Sequence, residues 1–416
     1  MERLPGFRDF YPEPLPHKDV WSADARQYIF DMWRNVARRY GFREYDGPPI
    51  EPLELYTLKS GEEIVGQLYN FVDKGERAVS LRPEMTPTLA RMFASHERNY
   101  KKPVKWFAIP QLFRYERQQK GRLREHFQFN ADVLGESDSS ADAELLALLI
   151  DSLRAFGLKP DDFVIRLSSR NAWQDFFQKR NGKPEQAYAF YQAIDKIERD
   201  EPAESEKKLA AVGMSMKEVN EFITGGKPTP ELDVIVKNLQ ARGLGEFVKI
   251  DYHVIRGLAY YTGVVFEAFD RKGEFRAIAG GGRYDNLVKL ISGGKVDSPA
   301  LGFGMGDVVL LELLKARGLL PKFDSYVAVF VLIEDEALRN ASLDLVQQLR
   351  NAGHAVEYSF TPAKSDKQFK RAMELKAKFT VKIEADSTGA LVAKVKNLGT
   401  REEKALPPSA VATALV

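Results

Sequence analysis

The sequence contains no cysteine, which excludes disulfide bonds, thiolate zinc sites and cysteine nucleophiles. No GxSxG segment and no Walker-type phosphate loop occurs either. The N-terminus lacks a secretory signal, and no apolar run reaches the roughly 18 residues that a membrane span needs. We therefore expect a soluble, cytoplasmic protein with no membrane partner. Histidine is scarce, and no two of the five stand at metal-ligand spacing, so we predict no protein metal site: His17, His96, His126, His253 and His354.

The charge and the length of the chain restrict the class of protein and the number of domains. The chain has 416 residues, with 61 Lys and Arg against 59 Asp and Glu, a formal net charge of +2. This balance argues against a protein that coats nucleic acid, but it leaves a local basic patch open. A hydrophobic content of 44% can fill folded cores. The length predicts two or three domains.

Apolar periodicity and turn residues divide the chain. Apolar residues at helical spacing over 19–40, followed by Gly41, predict a helix. Segments 105–115 and 125–135 have strand character and are joined by a basic polar loop. The three consecutive glycines at 280–282 predict a turn.

The second half of the chain changes composition twice. Residues from about 171 to 245 are charged, helical in pattern and poor in strand formers, which indicates an inserted helical subdomain. Residues 317–324 have the composition of a linker. Beyond them, strand and helix patterns alternate over about 90 residues, which predicts a small α/β domain with a mostly parallel sheet.

Four segments could carry chemistry, and each also has a plain structural interpretation. The cations of 113–125 surround one glycine and suit a polyphosphate or a nucleic-acid backbone, or else form a solvated hairpin tip. Glu84 follows a proline and could hold an ammonium group, or lie on an ordinary exposed turn. Residues 256–263 (RGLAYYTG) could line a pocket for an anionic ligand, or simply pack beside a strand.

The fourth segment is rich in glycine. Residues 280–285 (GGGRYD) and 301–307 (LGFGMGD) would let backbone amides approach a ligand closely. The second stretch is similar to a dinucleotide fingerprint, but Val309 stands where the third glycine belongs. The broken pattern argues against a nucleotide-binding oxidoreductase.

Taken in this order, the segments resemble the class II aminoacyl-tRNA synthetases, and specifically the histidyl-tRNA synthetase family. FRYERQQKGRLREHFQ resembles motif 2, LRPEMTPTLAR the family's TLRPEGT segment, and RGLAYYTG the RGLDYY histidine motif. GGGRYDNL and ALGFGMG resemble the glycine-rich motif and the motif 3 strand. These stretches are residues 113–128, 81–91, 256–263, 280–287 and 300–306. The resemblance covers nearly the whole chain.

The resemblance implies an α+β fold, with an antiparallel sheet flanked by helices, a helical insertion and a terminal α/β domain. The catalytic domain would span residues 1–320, with the insertion at about 171–245. Residues 325–416 would form the anticodon-binding domain. The family also implies a homodimer, with motif 1, here around residues 19–52, at the interface.

The implied activity is that of a two-step ligase. ATP, with Mg²⁺, and histidine give histidyl-adenylate, and the histidyl group then moves to the 3′ end of tRNA(His). The alternative is a catalytically silent relative that acts as a regulatory subunit of histidine biosynthesis. Such relatives lack the terminal domain and normally lose the histidine motif. The retained Arg256, Tyr261 and terminal α/β unit favour the enzyme.

The resemblance also implies roles for individual residues. Arg114 and Arg256 would be the catalytic arginines that hold the α-phosphate of ATP, and Glu116 would lie near the adenine or its ribose-phosphate. Glu84 would bind the α-ammonium group of histidine. The rest of the histidine pocket would be Gln128, Asp132, Tyr260 and Tyr261. The residues that would approach the tRNA acceptor end are Gln118, Gln119, Lys120 and Arg122.

Three positions depart from the family pattern. Val309 stands where motif 3 has an arginine that clamps the γ-phosphate of ATP. Ala259 replaces the acidic residue of RGLDYY, and Met85 replaces the glycine of RPEGT. The sequence leaves open which cation serves the γ-phosphate.

Overall fold

The protein is described by a computed structural model that covers residues 2–12, 21–60, 62–115, 123–198, 200–255, 260–323 and 326–415. The chain divides into two units, Met1–Leu320 and Pro321–Val416. Each unit has its own sheet and its own buried core.

The elements of the first unit follow in chain order. Its strands are β1 (Phe10–Tyr11), β2 (Trp21–Ser22), β3 (Arg43–Glu44), β4 (Ile50–Pro52), β5 (Asn70–Val72), β6 (Ala78–Leu81), β7 (Val104–Ala108), β8 (Gln111–Phe113), β9 (Glu125–Leu134), β10 (Phe163–Ser169), β11 (Val248–Ile250), β12 (Val264–Asp270), β13 (Ala279–Arg283) and β14 (Ala300–Gly306). Its α-helices are α1 (Ala23–Arg39), α2 (Glu54–Ser60), α3 (Thr86–His96), α4 (Ser139–Arg154), α5 (Arg170–Gln178), α6 (Ala187–Lys196), α7 (Pro202–Ala210), α8 (Met216–Gly225), α9 (Pro230–Ala241), α10 (Leu287–Ile291) and α11 (Asp307–Ala316). Short 3₁₀ helices lie at Glu62–Gln67, Glu97–Asn99, Pro184–Gln186 and Gly245–Phe247.

The main sheet of the first unit runs in the order β11-β10-β12-β13-β14-β9-β7-β3, and β8 extends it by pairing with β9. The strands from β10 to β7 pair antiparallel, while β11 and β3 add to the two edges in parallel. A separate antiparallel sheet has the order β4-β6-β5. The hairpin of β5 and β6 leads directly into the turn that carries Glu84.

One face of the main sheet is apolar and packs against helices. Phe129, Ala131 and Val133 alternate along β9 toward this face, as a strand period of two requires. Trp33 of α1 stacks on Phe129 with 5.6 Å between ring centroids. Ser22 caps the N-terminus of helix α1, since its hydroxyl oxygen accepts a hydrogen bond from the amide of Ala25. The predicted helix over 19–40 is therefore confirmed in its central part.

The glycines at 280–282 do not form the predicted turn, so that prediction was wrong. They lie in the buried strand β13, between β12 and β14. A Cβ on Gly281 would come within 2.2 Å of the Gly302 carbonyl oxygen. Glycine is used here because the backbones of neighbouring strands leave no room for a side chain, and not because the chain reverses.

Helices α5 to α9 fill the stretch between β10 and β11. Their shared core includes Trp173, whose indole N–H donates to the Tyr252 carbonyl at 3.1 Å. Helix α8 begins with a capping box between Ser215 and Glu218. This helical stretch also contributes acidic side chains to the cavity described below.

The second unit is a small α/β unit. Its elements are β15 (Val329–Leu332), α12 (Arg339–Asn351), β16 (Val356–Tyr358), α13 (Ser365–Glu374), β17 (Phe379–Ala385), β18 (Leu391–Asn397), β19 (Glu403–Leu406) and α14 (Val411–Ala414), with 3₁₀ turns at Glu336–Leu338 and Pro408–Ala410. The sheet order is β16-β15-β17-β18-β19. The first two pairings are parallel and the last two antiparallel, so the prediction of a mostly parallel sheet was wrong. The sequence signal for these two strands is weak because β18 is only partly buried and three of the four residues of β19 are exposed.

The predicted α+β class is confirmed, with an antiparallel sheet flanked by helices, a helical insertion and a terminal α/β unit. Among the described residues, no helix is long and apolar enough to cross a membrane.

Candidate active site

The polar face of the main sheet opens into a cavity of about 670 Å³. Its wall is built from the β6–α3 turn, the ends of β8 and β9, the strands β12 to β14 and the start of α11. Side chains that line it include Glu84, Thr86, Arg114, His126, Gln128, Asn130, Asp195, Glu198, His253, Tyr260, Tyr261, Glu267, Arg276, Tyr284, Val308 and Val309.

Glycine residues of the sheet form one side of this cavity. Gly280, Gly302 and Gly304 lie on neighbouring strands and face the cavity. A Cβ on Gly304 would stand 2.6 Å from the side-chain carbon of Gln128, and a Cβ on Gly302 would stand 1.9 Å from an oxygen of Asp132. The missing side chains therefore leave room for the side chains of Gln128 and Asp132 on β9 to lie across the neighbouring strand.

The turn before α3 presents Glu84 to the cavity. Arg82, two residues earlier, is buried and fixes the turn to neighbouring backbone segments. Its guanidinium donates to the carbonyl oxygens of Gly47 at 2.7 Å and Gln111 at 3.0 Å. The two charged residues of this turn thus have different tasks: Arg82 fixes the backbone, while Glu84 faces the ligand space.

Arg114 is tied to the same turn. Its Nε donates to the Pro83 carbonyl oxygen at 3.0 Å, and the Phe113 amide donates to the Arg82 carbonyl oxygen at 3.0 Å. These bonds join the end of β8 to the residues directly before Glu84. A carboxylate and a guanidinium that are 30 positions apart in the sequence therefore share one wall of the cavity.

Two tyrosines complete this wall. The Tyr260 hydroxyl donates to Glu84 Oε2 at 3.0 Å, which helps to fix the carboxylate in the cavity wall. The Tyr260 ring lies 4.8 Å from that of Tyr261 and meets the edge of Tyr284 at 6.1 Å. The aromatic surface beside Glu84 is therefore continuous.

Asp132 lies one layer behind this surface. It is 3% exposed, and its carboxylate accepts the Tyr284 hydroxyl at 2.6 Å. Burial raises the pKa of Asp132 to about 7, although the bond from Tyr284 opposes the shift. Burial, together with the neighbouring Asp132, also raises the pKa of Tyr284 well above its ordinary value. Asp132 acts on the cavity through Tyr284, which lines it.

Five of the predicted site residues come together in the cavity: Glu84, Arg114, Gln128, Tyr260 and Tyr261. Arg256 and Glu116 lie outside the described residues, as do the predicted acceptor-end contacts Gln118, Gln119, Lys120 and Arg122.

Several cavity residues were missed by the sequence interpretation. Tyr284 directly follows the glycines and Arg283 of a segment that was singled out, so a cross-strand partner could have been considered. His126 lies within motif 2, but it was judged only as an isolated histidine. Nothing in the sequence indicated Asp195 and Glu198 of the helical insertion, or Arg276 before β13, because their side chains reach the cavity only through the fold.

A buried ion-pair network supports the sheet next to the cavity. The Arg8 guanidinium donates to Glu125 at 2.6 Å and to Asp307 at 2.8 Å, with its side chain 1% exposed. Asp307 also accepts the Phe127 amide at 3.0 Å. Burial raises the pKa of Asp307, although Arg8 opposes the shift. The network fixes β9 against the start of α11, and none of its three charged residues lines the cavity.

An antiparallel sheet with glycines along one side of the cavity, an arginine at the end of a motif 2 strand and a carboxylate on an adjoining turn defines the catalytic fold of a class II aminoacyl-tRNA synthetase. A family model described as histidyl-tRNA synthetase matches residues 19–307, and one described as anticodon binding domain matches residues 326–416. The chain belongs to the histidyl-tRNA synthetase family.

Individual relatives agree with this assignment. The histidine–tRNA ligase of Opitutus terrae is 44% identical over 98% of this chain and 96% of its own length. The chloroplastic/mitochondrial histidine–tRNA ligase of Arabidopsis thaliana is 38% identical over 90% of this chain and 78% of its own length. The crystal structure of histidyl-tRNA synthetase from Nostoc sp. superposes with a TM-score of 0.76 at 26% identity, covering 97% of both chains.

Proposed function

We propose that this protein is a histidine–tRNA ligase that activates histidine with ATP and transfers the histidyl group to tRNA(His). The observation that carries the proposal is the hydrogen bond of 3.0 Å between Tyr260 and Glu84. It joins the histidine motif to the LRPE turn within a cavity that Arg114 and Gln128 also line. The regulatory-subunit alternative has no comparable observation in its favour.

In the activation step, a carboxylate oxygen of histidine attacks the α-phosphorus of ATP. A carbonyl–oxygen–phosphorus link forms, the bond from the α-phosphorus to the bridging oxygen breaks, and pyrophosphate leaves. Negative charge builds on the α-phosphate, so a fixed guanidinium lowers the barrier. The bond from Arg114 to the Pro83 carbonyl supports this role because it orients the guanidinium before ATP arrives. We assign the same phosphate to Arg256, and the adenine or ribose-phosphate to Glu116.

Glu84 is the proposed partner of the α-ammonium group of histidine. Its position beside Arg114 would bring the carboxylate of histidine toward the α-phosphate. Tyr260, Tyr261 and Gln128 would surround the imidazole, with Asp132 acting on it through the Tyr284 hydroxyl. Aromatic faces and amide groups suit a flat, polar ring of this size.

The family uses ATP, and we propose that ATP brings Mg²⁺ with it. Among the described residues, no group of three or more His, Asp or Glu side chains could hold a metal ion. Mg²⁺ is commonly held by substrate phosphates with only one or two carboxylates, and Glu267 on the cavity face fits that requirement. When bound, the ion would neutralise part of the phosphate charge.

We further propose a division of labour along the chain. Residues 1–320 would form the catalytic domain, and residues 325–416 would read the anticodon of tRNA(His). The match of residues 326–416 to an anticodon-binding model supports this assignment. Gln118, Gln119, Lys120 and Arg122 would approach the acceptor end, after which the terminal ribose hydroxyl attacks the histidyl carbonyl and AMP leaves. We place the protein, as a homodimer, in the cytoplasm.

The proposal is tested by histidine-dependent exchange between ATP and pyrophosphate in the full chain. We expect robust exchange, and we expect Glu84→Gln to lower kcat/KM for histidine by about 100-fold because the ammonium loses its charged partner. Glu185→Gln removes an exposed carboxylate outside the cavity and should leave the exchange unchanged. Arg256→Ala tests whether Arg256 holds the α-phosphate of ATP, and full exchange activity in this variant would remove that role.

A full chain without exchange above background would contradict the proposed function. If Glu84→Gln behaved like Glu185→Gln, the role of Glu84 would be withdrawn, although the activity itself would stand.

A further inference from the structure

We propose that Arg276 binds the β- and γ-phosphates of ATP and the departing pyrophosphate. This inference rests on the proposed function and adds a residue to it. ATP brings several negative charges into a cavity that Glu84, Asp195, Glu198 and Glu267 already line. The arginines among the described residues that line it are Arg114 and Arg276. A guanidinium offers phosphate oxygens a fixed fork of donors.

The register of the sheet locates Arg276. Strands β13 and β14 pair antiparallel, with Ala279 opposite Met305. Three residues before Ala279 the chain reaches Arg276, and three residues after Met305 it reaches Val308. Because antiparallel neighbours leave the sheet at the same end, Arg276 and the start of α11 border the same part of the cavity.

The start of α11 offers no cation of its own to this part of the cavity. Val308 and Val309 line it with apolar side chains. The carboxylate of Asp307 points elsewhere, bound by Arg8 at 2.8 Å and by the Phe127 amide at 3.0 Å. A phosphate group near this helix therefore depends on a cation from a neighbouring segment, and Arg276 is the arginine in the adjoining position.

Arg114 and Arg276 approach from opposite sides of the sheet's polar face. Arg114 follows β8, which pairs with β9, and β9 pairs with β14, which pairs with β13. Three strand-to-strand steps of about 4.8 Å each separate the two backbones, and long arginine side chains can cover part of that span from both ends. A triphosphate held by Arg114 at its α-phosphate would thus extend its outer phosphates toward Arg276.

The test separates the two steps of the reaction in the full-length protein. Arg276→Ala should lower kcat/KM for ATP in histidine-dependent exchange by about 10- to 100-fold and raise KM for pyrophosphate, with KM for histidine unchanged. Transfer from preformed histidyl-adenylate to tRNA should be unaffected, because the β- and γ-phosphates are absent in that step. Arg276 is exposed, so we expect the variant to fold.

Lys272→Ala is the matched control. It removes one exposed positive charge from the same β12–β13 connection without touching the cavity, and should retain parental ATP kinetics. If the parent is active and Arg276→Ala keeps parental ATP kinetics, the inference is wrong while the proposed function stands. An equal loss in exchange and in transfer would also overturn it. An inactive parent would instead contradict the proposed function.

Discussion

Asp132 illustrates how the environment of one residue sets its chemistry. Its side chain is enclosed between β9, the backbone of Gly302 and the ring of Tyr284. Burial raises its pKa from 3.8 to about 7, so near neutral pH the carboxyl group is partly protonated in the free protein. A carboxyl behind a ligand-facing tyrosine can therefore adjust its charge when a polar ring binds in front of it.

This shift makes the stability of the first unit depend on pH. In the folded state Asp132 binds its proton more tightly than in the unfolded chain, so its contribution falls as pH rises from about 4 to about 7 and then levels off. In Asp132→Asn, which keeps an acceptor for Tyr284, this part of the pH dependence should vanish. Urea unfolding followed by tryptophan fluorescence measures it, because Trp21, Trp33, Trp106 and Trp173 all lie in the first unit. If the free energy of unfolding depended on pH in the same way in the parent and in the variant, Asp132 would not be the source of this pH dependence.

At the scale of elements, the N-terminal segment is held to the sheet by a buried charge network. Arg8 joins Glu125 at the start of β9 to Asp307 at the start of α11, over sequence separations of 117 and 299 residues. Both carboxylates would lose their cationic partner if Arg8 were removed, and a buried charge without a counter-charge is strongly unfavourable. The network therefore couples the N-terminal segment to β9 and α11, two elements that border the cavity.

Arg8→Met should lower the free energy of unfolding of the first unit by about 3–5 kcal/mol. Arg3→Met is the matched control, since Arg3 pairs with Asp9 at 3.4 Å on the exposed surface of the same segment and should contribute about 1 kcal/mol or less. Tryptophan fluorescence during urea unfolding again gives both values. Equal effects of the two substitutions would mean that the buried network is not stabilising.

At the scale of the whole molecule, exposed apolar side chains on the β4-β6-β5 sheet support the proposed homodimer. Ile50 is 44% exposed and Phe71 48%, and both lie on short edge strands. Ile50 pairs with Leu81 and Phe71 with Val79, so both side chains lie on the same face of the sheet. Apolar side chains grouped on one small sheet are typical of an interface.

Light scattering at micromolar concentration should give a mass of twice 47.1 kDa. Phe71→Asp should shift this equilibrium toward the single chain, because a dimer interface would have to bury the new carboxylate. Lys74→Asp, on the neighbouring exposed turn, serves as the charge control. A single-chain mass for the parent protein would contradict the proposed dimer.

Features that depend on local pattern and on the motifs could be predicted from the amino-acid sequence alone. Helix α1 could be predicted because its apolar spacing and Gly41, with φ of 76°, act within a few residues. The fold class and the presence of Glu84, Arg114, Gln128, Tyr260 and Tyr261 in one site followed from the resemblance. These residues come from distant segments, and the spacing between them carries no information about distance in space.

Which side chains and backbone groups come into contact depends on the folded chain. It turned the glycines at 280–282 from a predicted turn into a buried strand, because the carbonyl of Gly302 lies where a side chain of Gly281 would be. It placed Asp132 behind Tyr284, paired Arg8 with two carboxylates, and brought Arg276 into the cavity that the start of α11 also lines. Burial and cross-strand register are properties of the folded sheet, so the charges and contacts that depend on them arise only when the chain has folded.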